Sequence, residues 1–238
     1  MKIKILGTLL AMAVGIFGFA QGEIQNISAA EFQKQIKVNP GIILDVRTPG
    51  ETAQGYIPDA SFIDYYDSEF KDKVKLIQKD QPIYVYCRSG GRSAKAAEIL
   101  KQNGFKEVYN LLGGIGAWNS VGYKVKKSST LNKSDKAALS PEDFRNILQS
   151  EDVVLVDYNT PWCSPCKKMS PIVDGIQTDF KGQARVLKVD VDKNKAIAKA
   201  QNVVGVPVLA IYKNGEEVWR KSGTLTREEL SAILQKHI

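Results

Sequence analysis

The chain has 238 residues, 33 Lys and Arg against 26 Asp and Glu, three Cys and a single His. A closed zinc site of four His or Cys ligands would need all three Cys and the one His at once, and three Cys cannot form a disulfide framework. A hydrophobic content of 43% excludes a disordered chain, and the length admits one large or two small domains. The only histidine that a catalytic triad could recruit is His237, the penultimate residue. The few Cys therefore call for a chemical reason, and their neighbourhoods carry the functional reading.

Met1-Lys2-Ile3-Lys4 is a short basic start, followed by fifteen uncharged residues, Ile5 to Phe19, and a small-x-small pattern at Gly18-Phe19-Ala20. This layout is that of a secretory signal peptide over residues 1–20. A bilayer span takes roughly 20 apolar residues, so cleavage is expected rather than anchoring, with no stable membrane insertion afterwards and a periplasmic or secreted location. Loss of Lys2 and Lys4 would take the formal charge from +7 to +5. Five further lysines lie in Lys124–Lys136, offset by one acid, Asp135, so the basicity belongs in part to a solvated connector. No nucleic-acid partner is expected.

A first α/β domain is expected over residues 21–125. Ile24–Ile27 reads as an edge strand, and Ser28-Ala29-Ala30-Glu31 as a capping box opening a helix with Phe32 and Ile36 inward. Gly41–Val46 and Pro82–Tyr86 are apolar runs of buried-strand type, Ser93–Gln102 is a helix, and Val108–Leu111 is a further strand. Strands alternating with helices imply a parallel sheet covered on both faces. The run Lys126-Lys127-Ser128-Ser129-Thr130 breaks the periodicity, so residues 126–138 read as a linker. The second domain, residues 139–238, starts a helix at Ser140-Pro141. Strands follow at Val153–Tyr158, Arg185–Val191 and Val208–Tyr212, then an Asn214-Gly215 hairpin and a last helix capped by Thr226.

Cys87-Arg88-Ser89-Gly90-Gly91-Arg92-Ser93 joins a buried strand to a helix. Gly90 and Gly91 let successive N–H groups converge on an anion, the helix adds its positive end, and Arg88 and Arg92 add charge. A thiolate at Cys87, and then a persulfide on it, suits such a cradle. An inert buried Cys is the alternative. Further segments carry a resemblance: Leu44-Asp45-Val46-Arg47-Thr48-Pro49-Gly50-Glu51, Gly55-Tyr56-Ile57-Pro58-Asp59-Ala60 and Leu112-Gly113-Gly114-Ile115-Gly116-Ala117-Trp118. In order with the Cys loop they resemble a single rhodanese (sulfurtransferase) domain, with Tyr56 where that family usually has His. The Cys-x4-Arg spacing resembles the sulfur-handling class rather than the related phosphatases, which have Cys-x5-Arg.

Trp162-Cys163-Ser164-Pro165-Cys166-Lys167 follows a strand directly and puts two Cys three apart at a helix start. The helix end favours a thiolate at Cys163, expected to attack, while Cys166 resolves the mixed disulfide and leaves Cys163–Cys166 oxidised. A purely structural bond or half a metal site are the alternatives. This half resembles the thioredoxin family, which has a mixed central sheet. The resemblance implies a buried acid at Asp157, a Lys partner for it at Lys188, a cis proline at Pro207 facing the Cys pair, and packing beside the site for Trp162. Departures are Ser164 for Gly and Asn159-Thr160 for Trp-Ala.

The expected protein is thus a two-domain α/β chain, rhodanese-like and then thioredoxin-like. It would be an exported thiol–disulfide oxidoreductase acting on protein disulfides or thiols. It would be coupled to a sulfurtransferase fed by thiosulfate or a persulfide, with no metal and no cofactor. In an oxidising compartment a membrane thiol reductase would supply electrons. The alternative keeps the redox half and makes the first domain a non-catalytic docking module for clients.

Overall fold

The computed structural model describes residues 23–127 and 138–238. The expected signal peptide (1–20) and residues 128–137 of the expected linker lie outside the described residues.

The first domain runs β1 (Glu23–Ile27), α1 (Ala29–Val38), β2 (Ile42–Asp45), α2 (Pro49–Ala53), β3 (Ala60–Phe62), α3 (Phe70–Lys75), β4 (Ile83–Tyr86), α4 (Gly91–Gln102), β5 (Glu107–Leu111) and α5 (Gly114–Ser120). Its five strands are all parallel, in the order β1-β5-β4-β2-β3. Every residue of β2 and β4 is buried, as expected of strands covered on both faces. The period of two sorts their side chains. Tyr84 and Tyr86 pack with Phe32 of α1 and Ile115 and Trp118 of α5. Ile83, Val85 and Cys87 point the other way, onto Phe70 and Val74 of α3 and Ala96, Ala97 and Leu100 of α4. Lys126 and Tyr56 exchange backbone hydrogen bonds of 2.8 and 2.9 Å, which ties the first residue of the expected linker to this domain.

The second domain runs α6 (Pro141–Ser150), β6 (Val153–Asn159), α7 (Ser164–Asp179), β7 (Arg185–Asp190), α8 (Lys195–Ala200), β8 (Val208–Lys213), β9 (Glu216–Ser222) and α9 (Arg227–Gln235). Its sheet is mixed, in the order β7-β6-β8-β9, with β7 parallel to β6 and the other pairs antiparallel. One face packs Phe144 and Leu148 of α6 and Ile197 of α8; the other packs Met169, Val173 and Ile176 of α7 and Leu230 and Leu234 of α9. Local chemistry sets several ends. Ser140 Oγ accepts the Asp143 N–H at 3.0 Å with Pro141 opening the helix. Thr226 and Glu229 close a reciprocal capping box. Asn214 and Gly215 both adopt positive φ, 51° and 85°, the geometry a two-residue hairpin requires.

Candidate functional sites

Cys87 follows the carboxyl end of β4, is 1% exposed, and has its thiol at the mouth of α4. Gly90, in the left-handed region at φ 99°, turns its N–H onto Cys87 Sγ at 3.1 Å. A β-carbon there would add strain to any side chain and would lie 3.3 Å from the Gly113 backbone. Ser93 Oγ also reaches Cys87 Sγ, at 3.5 Å, and donates to Gly90 O at 3.1 Å. Burial pushes the thiol up. The Ser93 hydroxyl and the N–H groups of Ser93, Ser89 and Gly90 outweigh it, so the pKa lies below that of a free thiol. Of the expected anion cradle, Ser89, Gly90 and Ser93 thus act on the sulfur, while Gly91 opens α4.

The two arginines of the loop behave differently. Arg88 is exposed. Arg92 is committed, its Nη1 and Nη2 donating to the two Glu51 carboxylate oxygens at 2.8 and 2.6 Å. That pair holds the Glu51 carboxyl down at about 2. The expected free positive charge at Arg92 is therefore largely neutralised by a carboxylate 41 residues away, because a fork-shaped donor finds its best match in a carboxylate. From the sequence, Glu51 has no role beyond its place in the Leu44–Glu51 segment, although Thr48-x-x-Glu51 is a capping signature, and the box is closed in the structure.

Beneath this loop lies a buried ion pair. Asp45 is fully buried and Arg47 nearly so. Arg47 donates to Asp45 through Nη2 at 2.6 Å, Nε at 2.9 Å and its own N–H at 3.0 Å, and to Gly55 O at 2.7 Å. Tyr86 OH accepts the Ile57 N–H at 3.0 Å and lies beside the same carboxylate. The pair thus fastens the end of β2 to the turn that leads into β3.

The second site is a disulfide. Cys163 and Cys166 are bonded, 2% and 4% exposed, at the start of α7. Cys163 is the N-cap, its sulfur accepting the Cys166 N–H at 3.1 Å, which is the helix-end donor that favours a thiolate after reduction. The Val206–Pro207 peptide is cis. Trp162 donates its indole N–H to Asp192 at 2.7 Å and packs against the cores of both domains.

Asp157, on β6, is 2% exposed, and burial raises its carboxyl to about 6. Asn159 Nδ2 donates to one oxygen at 3.1 Å, and the other, Oδ1, has no partner among the described residues. Strand register sets Lys188 beside Asp157. The expected direct contact is nevertheless not formed, because the ammonium reaches Asp174 at 2.6 Å and Ser170 Oγ at 3.0 Å instead. Asp174 is an exposed carboxylate that pays no burial penalty, and so the cheaper partner. Lys188 still acts on Asp157 through space, drawing its pKa down.

The two domains meet at this second site. The Phe62 N–H donates to Trp162 O at 3.1 Å, the Ser164 N–H to Ser61 Oγ at 2.9 Å, and the Val206 N–H to Leu76 O at 2.9 Å. Lys167 Nζ sits 4.8 Å from the centre of the Phe62 ring. None of these pairings is legible in the sequence, since each joins residues at least 100 positions apart in the chain.

Comparison with known proteins agrees with this division. The Rhodanese-like domain model matches residues 28–121 and the Thioredoxin model residues 135–236. Thioredoxin 1 of Nostoc sp. is 36% identical over 106 residues, 44% of this chain and 99% of the relative. A Staphylococcus epidermidis thioredoxin is 36% identical over 100 residues, 42% of this chain and 95% of the relative. Among solved structures, a rhodanese-related protein from Thermoplasma volcanium is 36% identical over 44% of this chain and 99% of its own, with a TM-score of 0.40. Its second domain makes this chain a member of the thioredoxin family, with a rhodanese-like domain fused ahead of it.

Proposed function

We propose that the chain is an exported thiol–disulfide oxidoreductase in which Cys163 attacks and Cys166 resolves. The observation that carries this is the Cys163–Cys166 bond at a helix N-terminus, with a buried carboxyl at Asp157 on the adjoining strand. In the reducing direction, the Cys163 thiolate attacks one sulfur of a client disulfide and the client's first thiolate leaves. Cys166 then attacks Cys163 Sγ, the mixed disulfide breaks, and the second client thiolate departs. Asp157, near neutrality in its pKa, stores the proton that Cys166 gives up. Reduced chain should reduce insulin disulfides, and Cys163→Ser should show no turnover above background; unchanged activity would end this assignment. The basic, apolar and small-residue pattern of residues 1–20 supports export, and a membrane thiol reductase would then be the electron donor.

The first domain supplies sulfur chemistry in this reading. The Cys87 thiolate attacks the sulfane sulfur of thiosulfate, sulfite leaves, and a persulfide anion remains within the N–H cradle. The reduced pair can discharge it. Cys163 takes the outer sulfur while the Cys87 thiolate leaves, and Cys166 attacks Cys163 Sγ and expels hydrosulfide. The lowered thiol pKa and the Gly90 and Ser93 contacts support it. Mass spectrometry after thiosulfate treatment should find an adduct of about 32 Da, one sulfur atom, on Cys87. If no donor yields that adduct, the first domain is a docking module for clients, and Cys87→Ala should leave all turnover intact.

A further inference from the structure

A disulfide that exchanges must be reached by another sulfur, yet Cys163 is 2% exposed and Cys166 4%. The residues that straddle Cys163 explain this. Trp162 offers its carbonyl to Phe62, and Ser164 offers its N–H to Ser61, so β3 of the first domain lies across the attacking cysteine from both sides. Facing the same site, residues Leu76 and Ile77 run alongside Val206 as a parallel bridge. The Val206 N–H donates to Leu76 O at 2.9 Å, and Gln78 Nε2 donates to Pro207 O at 3.3 Å. Leu76 packs into the core of the second domain rather than its own. A Glu69–Lys195 ion pair joins the rim.

We propose that the first domain is an internal client of the second: Leu76–Gln78 occupies the backbone edge at Val206-Pro207 that an incoming peptide would pair with, and β3 caps Cys163. This rests on the redox reading above. The closed arrangement keeps folded proteins away from the disulfide, and exchange with them needs the two domains to part. The edge at Val206 is open backbone until Leu76 fills it. Any extended segment offering a carbonyl there would satisfy the same N–H, and only one can do so at a time. Occupation and client binding are therefore mutually exclusive.

The test measures access before activity. Reduced whole chain is treated with iodoacetamide, and adducts at Cys163 are separated from those at Cys87 by peptide mapping. Leu76→Glu buries a charge in the contact without touching the core of its own domain, and should speed alkylation of Cys163 about tenfold. Glu69→Lys, at an exposed position, sets two positive charges face to face and should speed it about threefold. The swap Glu69→Lys with Lys195→Glu should return it towards the wild-type rate. Insulin reduction should rise in the same order. If neither Leu76→Glu nor Glu69→Lys speeds alkylation, the closed arrangement is wrong while the redox reading stands. If alkylation rises but no variant reduces insulin, the cap stands and the redox reading fails.

Discussion

Arg47→Ala should cost the first domain about 3–5 kcal/mol, the range for removing one partner of a buried ion pair. The loss is large because Arg47 satisfies more than one group at once. Its guanidinium donates to both oxygens of Asp45 and to Gly55 O. Without it the carboxylate is left buried with only the Arg47-position N–H and Tyr86 for partners. The Gly55 carbonyl also loses a donor, and the turn into β3 loses its fastening to β2. Arg47→Lys should recover only part of the loss, since an ammonium lacks the planar fork that spans both oxygens. The penalty should also shrink in acid. Burial already raises the Asp45 carboxyl above its ordinary value, and a protonated acid needs no cation. Urea unfolding followed by circular dichroism at pH 7 and pH 4 reads all of this. A change below about 1 kcal/mol at neutral pH would mean that the pair is not the fastening described.

Asp157→Asn should act in the opposite direction and stabilise the second domain by about 2–3 kcal/mol at pH 7. The folded carboxyl titrates at about 6 rather than 3.8, because burial disfavours the charge. Between those values the folded chain holds a proton that the unfolded chain has released. Stability therefore falls as pH rises through that window, and above it the full penalty is present. Asparagine is neutral at every pH and keeps an oxygen to accept from Asn159. The gain should be close to nil near pH 3 and complete by pH 7, seen as a rise in the midpoint of thermal unfolding. The same substitution removes the proton store, so insulin reduction at pH 7 should slow about tenfold. A variant equally stable at pH 3 and pH 7 relative to wild type would show that Asp157 does not carry the raised pKa.

What could be read from the sequence was what local chemistry decides. The apolar runs of β2, β4, β6 and β8, the Asn214-Gly215 turn and the Ser140 and Thr226 caps all depend on neighbours within a few residues. So do both cysteine loops, because in each a strand end runs within a few residues into a helix start. The short elements β3, α2, α3 and α5 were not legible, since three to seven residues carry too little periodicity. Side-chain choices between distant partners were hidden as well. Nothing in Cys87–Ser93 announces that Arg92 will turn to Glu51, and the register that sets Lys188 beside Asp157 does not say that its ammonium prefers Asp174. The contact between the domains was the least visible. It pairs residues 59–78 with residues 162–207, and exposure of Cys163 could only be judged once both were folded.

β3 is the outermost strand of its sheet, with β2 on one side only. Its free side presents the Phe62 N–H, which donates to Trp162 O. An uncovered strand at that position is a template for pairing with another chain, and natural sheets blunt such borders with charge, proline or a covering element. Here Ala60-Ser61-Phe62 carries no charge and no proline, and the neighbouring domain does the covering. Each release of Cys163 to a client would therefore also bare a sticky border, so the open form should self-associate at high concentration more readily than the closed one.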